Sequence, residues 1–268
     1  MTNAIKIMHP KDVHLEALPY KYPMRNAVTL DAEIRQIEIC MSKGYQHLTL
    51  QEGKDEWLSV VGFGPSLRLE WQNIKPPVMT VSGAHDFLLE RGVTPDYHVE
   101  CDGRDHKVKH LQNPCTKTKY LMASICSPQM WEQLQGCEVI TWHNANGQHV
   151  VDWIEENDDG SILVAGGSNV GLSAIHIAGI LGYKNFRMFG FDGNFSKGVR
   201  HAGKHYGPPQ KLIKRHASGR DWDTTPQMSN ACDEFTWIMN DENLNFEVHG
   251  DCLLADVIKD ALRGNVIL

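Results

Sequence analysis

Apolar positions along this chain fall into short runs separated by turns rich in glycine, proline and aspartate. The runs follow two different periods. Leu30, Ile34, Ile37 and Met41 recur every three or four residues, which predicts a helix over 29–44 with Thr29 as its cap and Gly44 at its end. Continuous apolar runs predict buried strands at Trp57–Val61, Val78–Val81, Tyr97–Cys101, Tyr120–Ser124 and Glu138–Trp142. Further strands are predicted at Ser161–Ala165, Asn185–Gly190 and Phe246–His249. Helical stretches fall between them at Ala84–Arg91, Pro128–Gln135, Ser168–Leu181, Gln227–Asn240 and Ala255–Arg263. Strands that alternate with helices predict an α/β fold, a mainly parallel sheet with helices on both faces.

Two regions break the alternation. Residues 1–28 carry prolines at 10, 19 and 23 and read as a wrapping arm, so residues 1–56 form an arm and a helix packed on a core at 57–268. Residues 193–222, rich in Gly, His, Lys and Pro, read as a long lid-like loop.

Composition narrows the function classes. With 268 residues and 41% hydrophobic content, the chain is long enough for one large core. Its net charge of −7 argues against a role coating nucleic acid. Lys204, Lys211, Lys214, Arg215 and Arg220 cluster, and they form either a solvated face or a local basic cleft. Seven scattered cysteines without a CxxC pair point to reduced thiols rather than disulfides or a zinc ribbon. No signal-peptide pattern and no apolar run of roughly 20 residues is present, so the expected location is cytoplasmic and away from the membrane. A homo-oligomer stays open.

Four groups of residues carry candidate chemistry. The turn Gly62-Phe63-Gly64-Pro65-Ser66 leaves a buried strand. It serves either as a backbone cradle for an anion, with the Ser66 hydroxyl nearby, or as a tight turn. It has neither the third glycine of a dinucleotide fingerprint nor the Lys-Ser/Thr of a P-loop. Gly166-Gly167-Ser168-Asn169 opens an apolar helix with Ser168 as a candidate cap, and is a second anion site or a plain connection. Asp96, Asp102, Asp192 and Ser82 sit at strand ends, and those beyond the carboxyl ends would share one ligand crevice. His201 and His205, four apart with Lys204 and Tyr206, could supply a general base or phosphate contacts; a third metal ligand is missing.

Taken together, Gly62–Leu67, Gly92–Tyr97 leading to Asp102, Gly166–Gly171, and Leu181–Asp192 resemble the DUF115 family. That family takes in the Maf-type flagellin glycosyltransferases and the archaeal 6-hydroxymethylpterin diphosphokinase-like proteins. The GxGPSL loop and the later glycine-turn, helix and GxD block also look like bacterial sialyltransferases that use CMP-sialic acid. The resemblance covers roughly residues 57–210. It implies a Rossmann-like fold with a nucleotide or nucleotide-sugar against Gly62, Gly64, Pro65 and Ser66, and against Gly167, Ser168 and Asn169. In the sialyltransferase-like enzymes a histidine after the GxD strand acts as base, which makes His201 and His205, beside Asp192, the candidate catalytic residues. Three functions compete on this basis. The leading one is a glycosyltransferase with a CMP-linked donor. The second is an ATP-dependent diphosphokinase for a pterin-like alcohol, which would need Mg²⁺ near Asp102 and Asp192. The third is a non-catalytic nucleotide-binding module, against which the polar lid argues.

Overall fold

The computed structural model describes residues 28–145, 147–157, 161–164, 167–204, 206, 210–239 and 244–263. The chain runs α1 (Leu30–Ser42), β1 (Gln46–His47), β2 (Lys54–Val61), α2 (Leu67–Glu70), β3 (Val78–Val81), α3 (Ala84–Leu89) and β4 (Tyr97–Glu100). It continues β5 (Lys119–Ala123), α4 (Pro128–Gln133), β6 (Glu138–Asn144), α5 (Gln148–Asn157), β7 (Leu163–Val164), α6 (Val170–Ile180) and β8 (Tyr183–Phe189). The last elements are β9 (Ile213–Ala217), β10 (Arg220–Thr224), α7 (Pro226–Met239), β11 (Asn245–Val248) and α8 (Leu253–Leu262).

Among the described residues, nine strands form one sheet in the order β1-β6-β5-β4-β3-β2-β8-β11, with β7 also on β6. Every neighbouring pair in it is parallel. This is the α/β, Rossmann-like architecture the alternation predicts. From β2 the chain builds outward to β3 and β4 on one side, and later returns to lay β8 on the other. The order therefore reverses between β2 and β8, and a crevice opens there beyond their carboxyl ends.

Alternation along the central strands divides the core between the two faces. Leu58 and Val60 of β2, Met79 and Val81 of β3, and Phe186 and Met188 of β8 join the main cluster. Val61, Val78 and Phe189 point into a smaller one with Leu67, Phe87 and Leu88 of the α2–α3 region. α6 packs on β3, β4, β7 and β8 with eight of its residues buried, which its Gly, Ala and Ser content permits by close approach to the sheet. Its cap is Asn169, not Ser168: Asn169 Oδ1 accepts from the amides of Gly171 and Leu172 at 2.8 and 3.1 Å. α1 starts where expected, with Thr29 accepting from the Ala32 amide.

Two parts of the chain depart from the expectation. β1 and α5 were not anticipated; a two-residue strand and a helix with only three buried positions leave little apolar signature. The stretch read as a long loop at 193–222 contains most of an antiparallel hairpin, β9 and β10, in which Ala217 pairs with Arg220. Adjacent charged and polar side chains fill both of its strands, and this masked the strand period. The hairpin docks on α8, where Asp256 accepts from Arg220 Nε at 2.6 Å and from Trp222 Nε1 at 3.1 Å.

Candidate functional site

The loops after β2 and β8 are joined across the switch point. The amides of Gly62 and Gly64 donate to the carbonyls of Phe189 and Gly190 at 2.7 and 2.8 Å. A Cβ on either glycine would lie 2.6 Å from the Gly190 carbonyl oxygen. The glycines thus serve close packing of two loops, and their amides are spent on it. Ser66 completes the junction: its amide and hydroxyl donate to the Asp192 carboxylate at 2.7 and 2.5 Å. Asp192 is buried, which pushes its pKa up to about 6 against the opposing pull of the two Ser66 bonds.

A cavity of about 610 Å³ lies beyond these loops. Of the residues singled out in the sequence, Gly62, Gly64, Ser82, Asp102, Gly167, Ser168, Asn169, Asp192 and His201 all line it. Pro65 and Ser66 do not line it: Pro65 is buried, and Ser66 faces Asp192. Asp96 is at the opposite, amino-terminal ends of the strands, just before β4, accepting from the Val78 amide at the start of β3. His205 lies outside the described residues.

His201 reaches the cavity because the chain after β8 folds back over the first glycine loop. The Ala202 amide donates to the Phe63 carbonyl at 2.9 Å, and Arg68 Nε donates to the Ala202 carbonyl at 2.7 Å. The His201 ring stacks on Phe63, with centroids 5.5 Å apart. Ser82, on the same wall, is held at φ 51°, a left-handed conformation rare for a non-glycine residue and common where ligands bind.

The carboxyl end of β4 supplies a compact charge cluster. Arg104 forks onto Asp102, with Nε 2.8 Å from Oδ1 and Nη2 2.5 Å from Oδ2. Lys107 Nζ lies 3.5 Å from Asp102 and 3.7 Å from Glu100. Burial raises the Asp102 carboxyl, yet the Arg104 bonds and the Lys107 charge outweigh it and hold it below its usual range. Glu100 is fully buried, and burial pushes its pKa up despite Lys107. Burial lowers Lys107, but the charges of Glu100 and Asp102 prevail and keep it protonated.

At the third side of the cavity, the amide of Ser168 donates to Glu234 of α7 at 2.8 Å. Asn169 takes the next free amides of α6. The amides of Ser168, Gly171 and Leu172 are therefore already satisfied within the chain, that of Ser168 by a protein carboxylate. Glycines are needed here for packing too: a Cβ on Gly167 would meet Leu172, and one on Gly171 would meet Phe191.

The donor set does not fit a resident Mg²⁺. Both oxygens of Asp102 accept from Arg104, and both oxygens of Asp192 accept from Ser66. Among the described residues, no group of three His, Cys, Asp or Glu side chains is placed to hold a metal ion. Sequence reasoning also missed Phe63, Glu100, Arg104, Lys107, Asn144 and Arg200, which line the cavity. Arg104 and Lys107 lie two and five residues after Asp102, and Arg200 directly precedes His201; that proximity is the signal that could have found them.

The fold and the position of the cavity define a Rossmann-like protein with a cavity at the sheet's switch point. The chain belongs to the family described as 6-hydroxymethylpterin diphosphokinase MptE-like, whose model matches residues 34–198, more than half of the chain. That match reaches back into α1, upstream of the motifs at 57–210. The solved Maf glycosyltransferase from Magnetospirillum magneticum AMB-1 is similar in fold, with a TM-score of 0.62 and 12% sequence identity. The likeness covers 89% of this chain and 43% of that one, so the chain spans less than half the length of that protein. No curated protein matches the chain. Among the described residues, no helix is long and apolar enough to cross a membrane.

Proposed function

We propose that the crevice binds a nucleotide-activated sugar, CMP-linked in the leading case, and transfers the sugar to a hydroxyl acceptor. The observation that carries this reading is the placement of His201. The return of the chain over Phe63 sets an imidazole on the wall of a cavity built at the switch point. An imidazole at this position can take the proton of an acceptor hydroxyl at neutral pH. As the acceptor oxygen bonds to the sugar's anomeric carbon, the bond from that carbon to the phosphate oxygen breaks. The nucleotide leaves with the bonding pair, and His201 holds the proton. Sugar transfer by the solved Maf protein, named a glycosyltransferase, agrees with this reading at the level of fold.

The test is an assay of donor hydrolysis and sugar transfer over a panel of CMP-, UDP- and GDP-sugars, with the wild type and His201→Ala. Turnover of one donor class that His201→Ala abolishes supports the reading. Silence across the panel rejects it.

The family match favours a second reading, diphosphoryl transfer from ATP to a pterin-like alcohol. For this, Asp102 and Asp192 would have to exchange Arg104 and Ser66 for a metal. ATP consumption that requires Mg²⁺ and a pterin alcohol would select it over sugar transfer.

A further inference from the structure

Among the described residues, the acidic side chains that line the cavity each have a partner. Asp102 has Arg104 and Lys107, and Glu100 has Lys107. Asp192 has Ser66, and Glu234, on α7 next to the lining residues, has the Ser168 amide and Asn230. Arg200 lines the same cavity and forms no hydrogen bond or ion pair among the described residues. It is only partly exposed. Its backbone is nevertheless fixed on both sides. Ser196 and Val199 exchange amide-to-carbonyl bonds of 2.9 Å just before it, and Ala202 is tied to Phe63 just after it. A partly desolvated guanidinium without an acceptor is costly to keep, and a nearby carboxylate or hydroxyl would ordinarily relieve it.

We infer that Arg200 is the anion-binding side chain of the crevice, held unpaired by the fold to grip the phosphate oxygens of the nucleotide. This rests on the nucleotide reading of the cavity. The two glycine loops, where an anion would first be sought, have spent the amides of Gly62, Gly64, Ser168, Gly171 and Leu172 on protein acceptors. Neutralisation of a phosphate then falls to a side chain. An arginine suits it, because its planar fork matches two phosphate oxygens at once and stays charged when partly buried. Burial and the neighbouring Arg104 guanidinium both weigh against the charge on Arg200. An incoming anion removes both penalties together, and it meets a group that needs little reordering.

The experiment measures binding of inorganic pyrophosphate, CMP and ATP by calorimetry to the wild type, Arg200→Gln and Arg200→Lys, with the ligand-free Tm of each. The expected result is a loss of affinity of about 10- to 100-fold for every phosphate ligand in Arg200→Gln, the range of a charged hydrogen-bonded contact. Arg200→Lys should recover part of it. The ligand-free Tm of Arg200→Gln should equal or exceed that of the wild type, since the replaced charge has no partner. Wild-type affinity in Arg200→Gln overturns the proposal and leaves the nucleotide reading standing. A marked fall in the ligand-free Tm also overturns it, because the guanidinium would then be a structural contact. Arg200-dependent binding of pyrophosphate without binding of any nucleotide sustains the anion site and sinks the nucleotide reading. Absence of binding by all three ligands removes both.

Discussion

Ser66 and Asp192 are joined twice, by the Ser66 amide and by its hydroxyl, across 126 residues of sequence. The two bonds close the first glycine loop against the turn that follows β8. They put a buried carboxylate at the hinge of the crevice and occupy both of its oxygens. Asp192 is thereby a positioning residue for the loop.

The Asp192 pKa of about 6 lies above its usual value of 3.8. A carboxyl whose folded pKa is raised binds a proton more readily in the native state. It therefore adds stability as pH falls through 6 toward 4, and withdraws it as pH rises through 6. Urea unfolding of the wild type should show this as a slope of about 1 kcal/mol per pH unit between pH 4 and 6, after subtraction of Asp192→Asn. An unchanged profile in the variant would show that the carboxyl titrates normally.

Gly64→Ala should cost about 1–3 kcal/mol or more, because the new methyl meets the Gly190 carbonyl and the Asp192 side chain, neither of which can move freely. Gly53→Ala is the control. Nothing lies within 4 Å of its Cβ, so its stability should stay within about 0.5 kcal/mol of the wild type. Thermal unfolding of the two variants side by side checks the contrast, and equal losses would refute the packing argument.

His201→Ala should lower the transfer rate by about 10²- to 10⁴-fold, the usual contribution of a positioned general base, with donor affinity nearly unchanged. Steady-state kinetics on the donor found in the panel decides it. A rise in KM with kcat intact would make His201 a binding residue instead.

Lys107→Met should leave Glu100 buried beside Asp102 without its cation. Loss of one partner from a buried pair costs about 3 kcal/mol at neutral pH. The deficit should shrink as pH falls, because the uncompensated Glu100, its folded pKa raised still further, takes up a proton. Urea unfolding at pH 7 and pH 5 gives the two values. A deficit independent of pH would mean that the loss is one of packing.

The fold was largely legible in the sequence, because parallel strands buried on both faces write themselves as plain apolar runs. Val78–Val81 and Tyr97–Glu100 are found within a residue of their expected bounds. What escaped had a weak or mixed pattern: β1 is two residues long, and the β9–β10 hairpin is rich in adjacent charged residues. At the site, strand-end logic located Gly62, Ser82, Asp102 and Asp192 correctly on one edge. The sequence leaves the glycine turns as either ligand cradles or plain turns, and in the structure the amides of Gly62 and Gly64 serve loop packing. Such a distinction depends on which carbonyl stands opposite each glycine, and here that carbonyl comes from the far half of the chain. Arg200 stands next to His201 in the sequence, but that it has no partner among the described residues is a property of space, which adjacency does not convey.

The separation of β2 from β8 also bears on how the protein is made. β2 is central to the sheet, yet one of its two edges waits for a strand that leaves the ribosome more than a hundred residues later. Until then a nascent chain carries β2 and β3 with an open row of amides and carbonyls, the kind of edge that pairs indiscriminately. Closing it spans a long loop and is slow on entropic grounds. The crevice is thus among the last features to form during synthesis, and only a chain that has completed β8 can possess it.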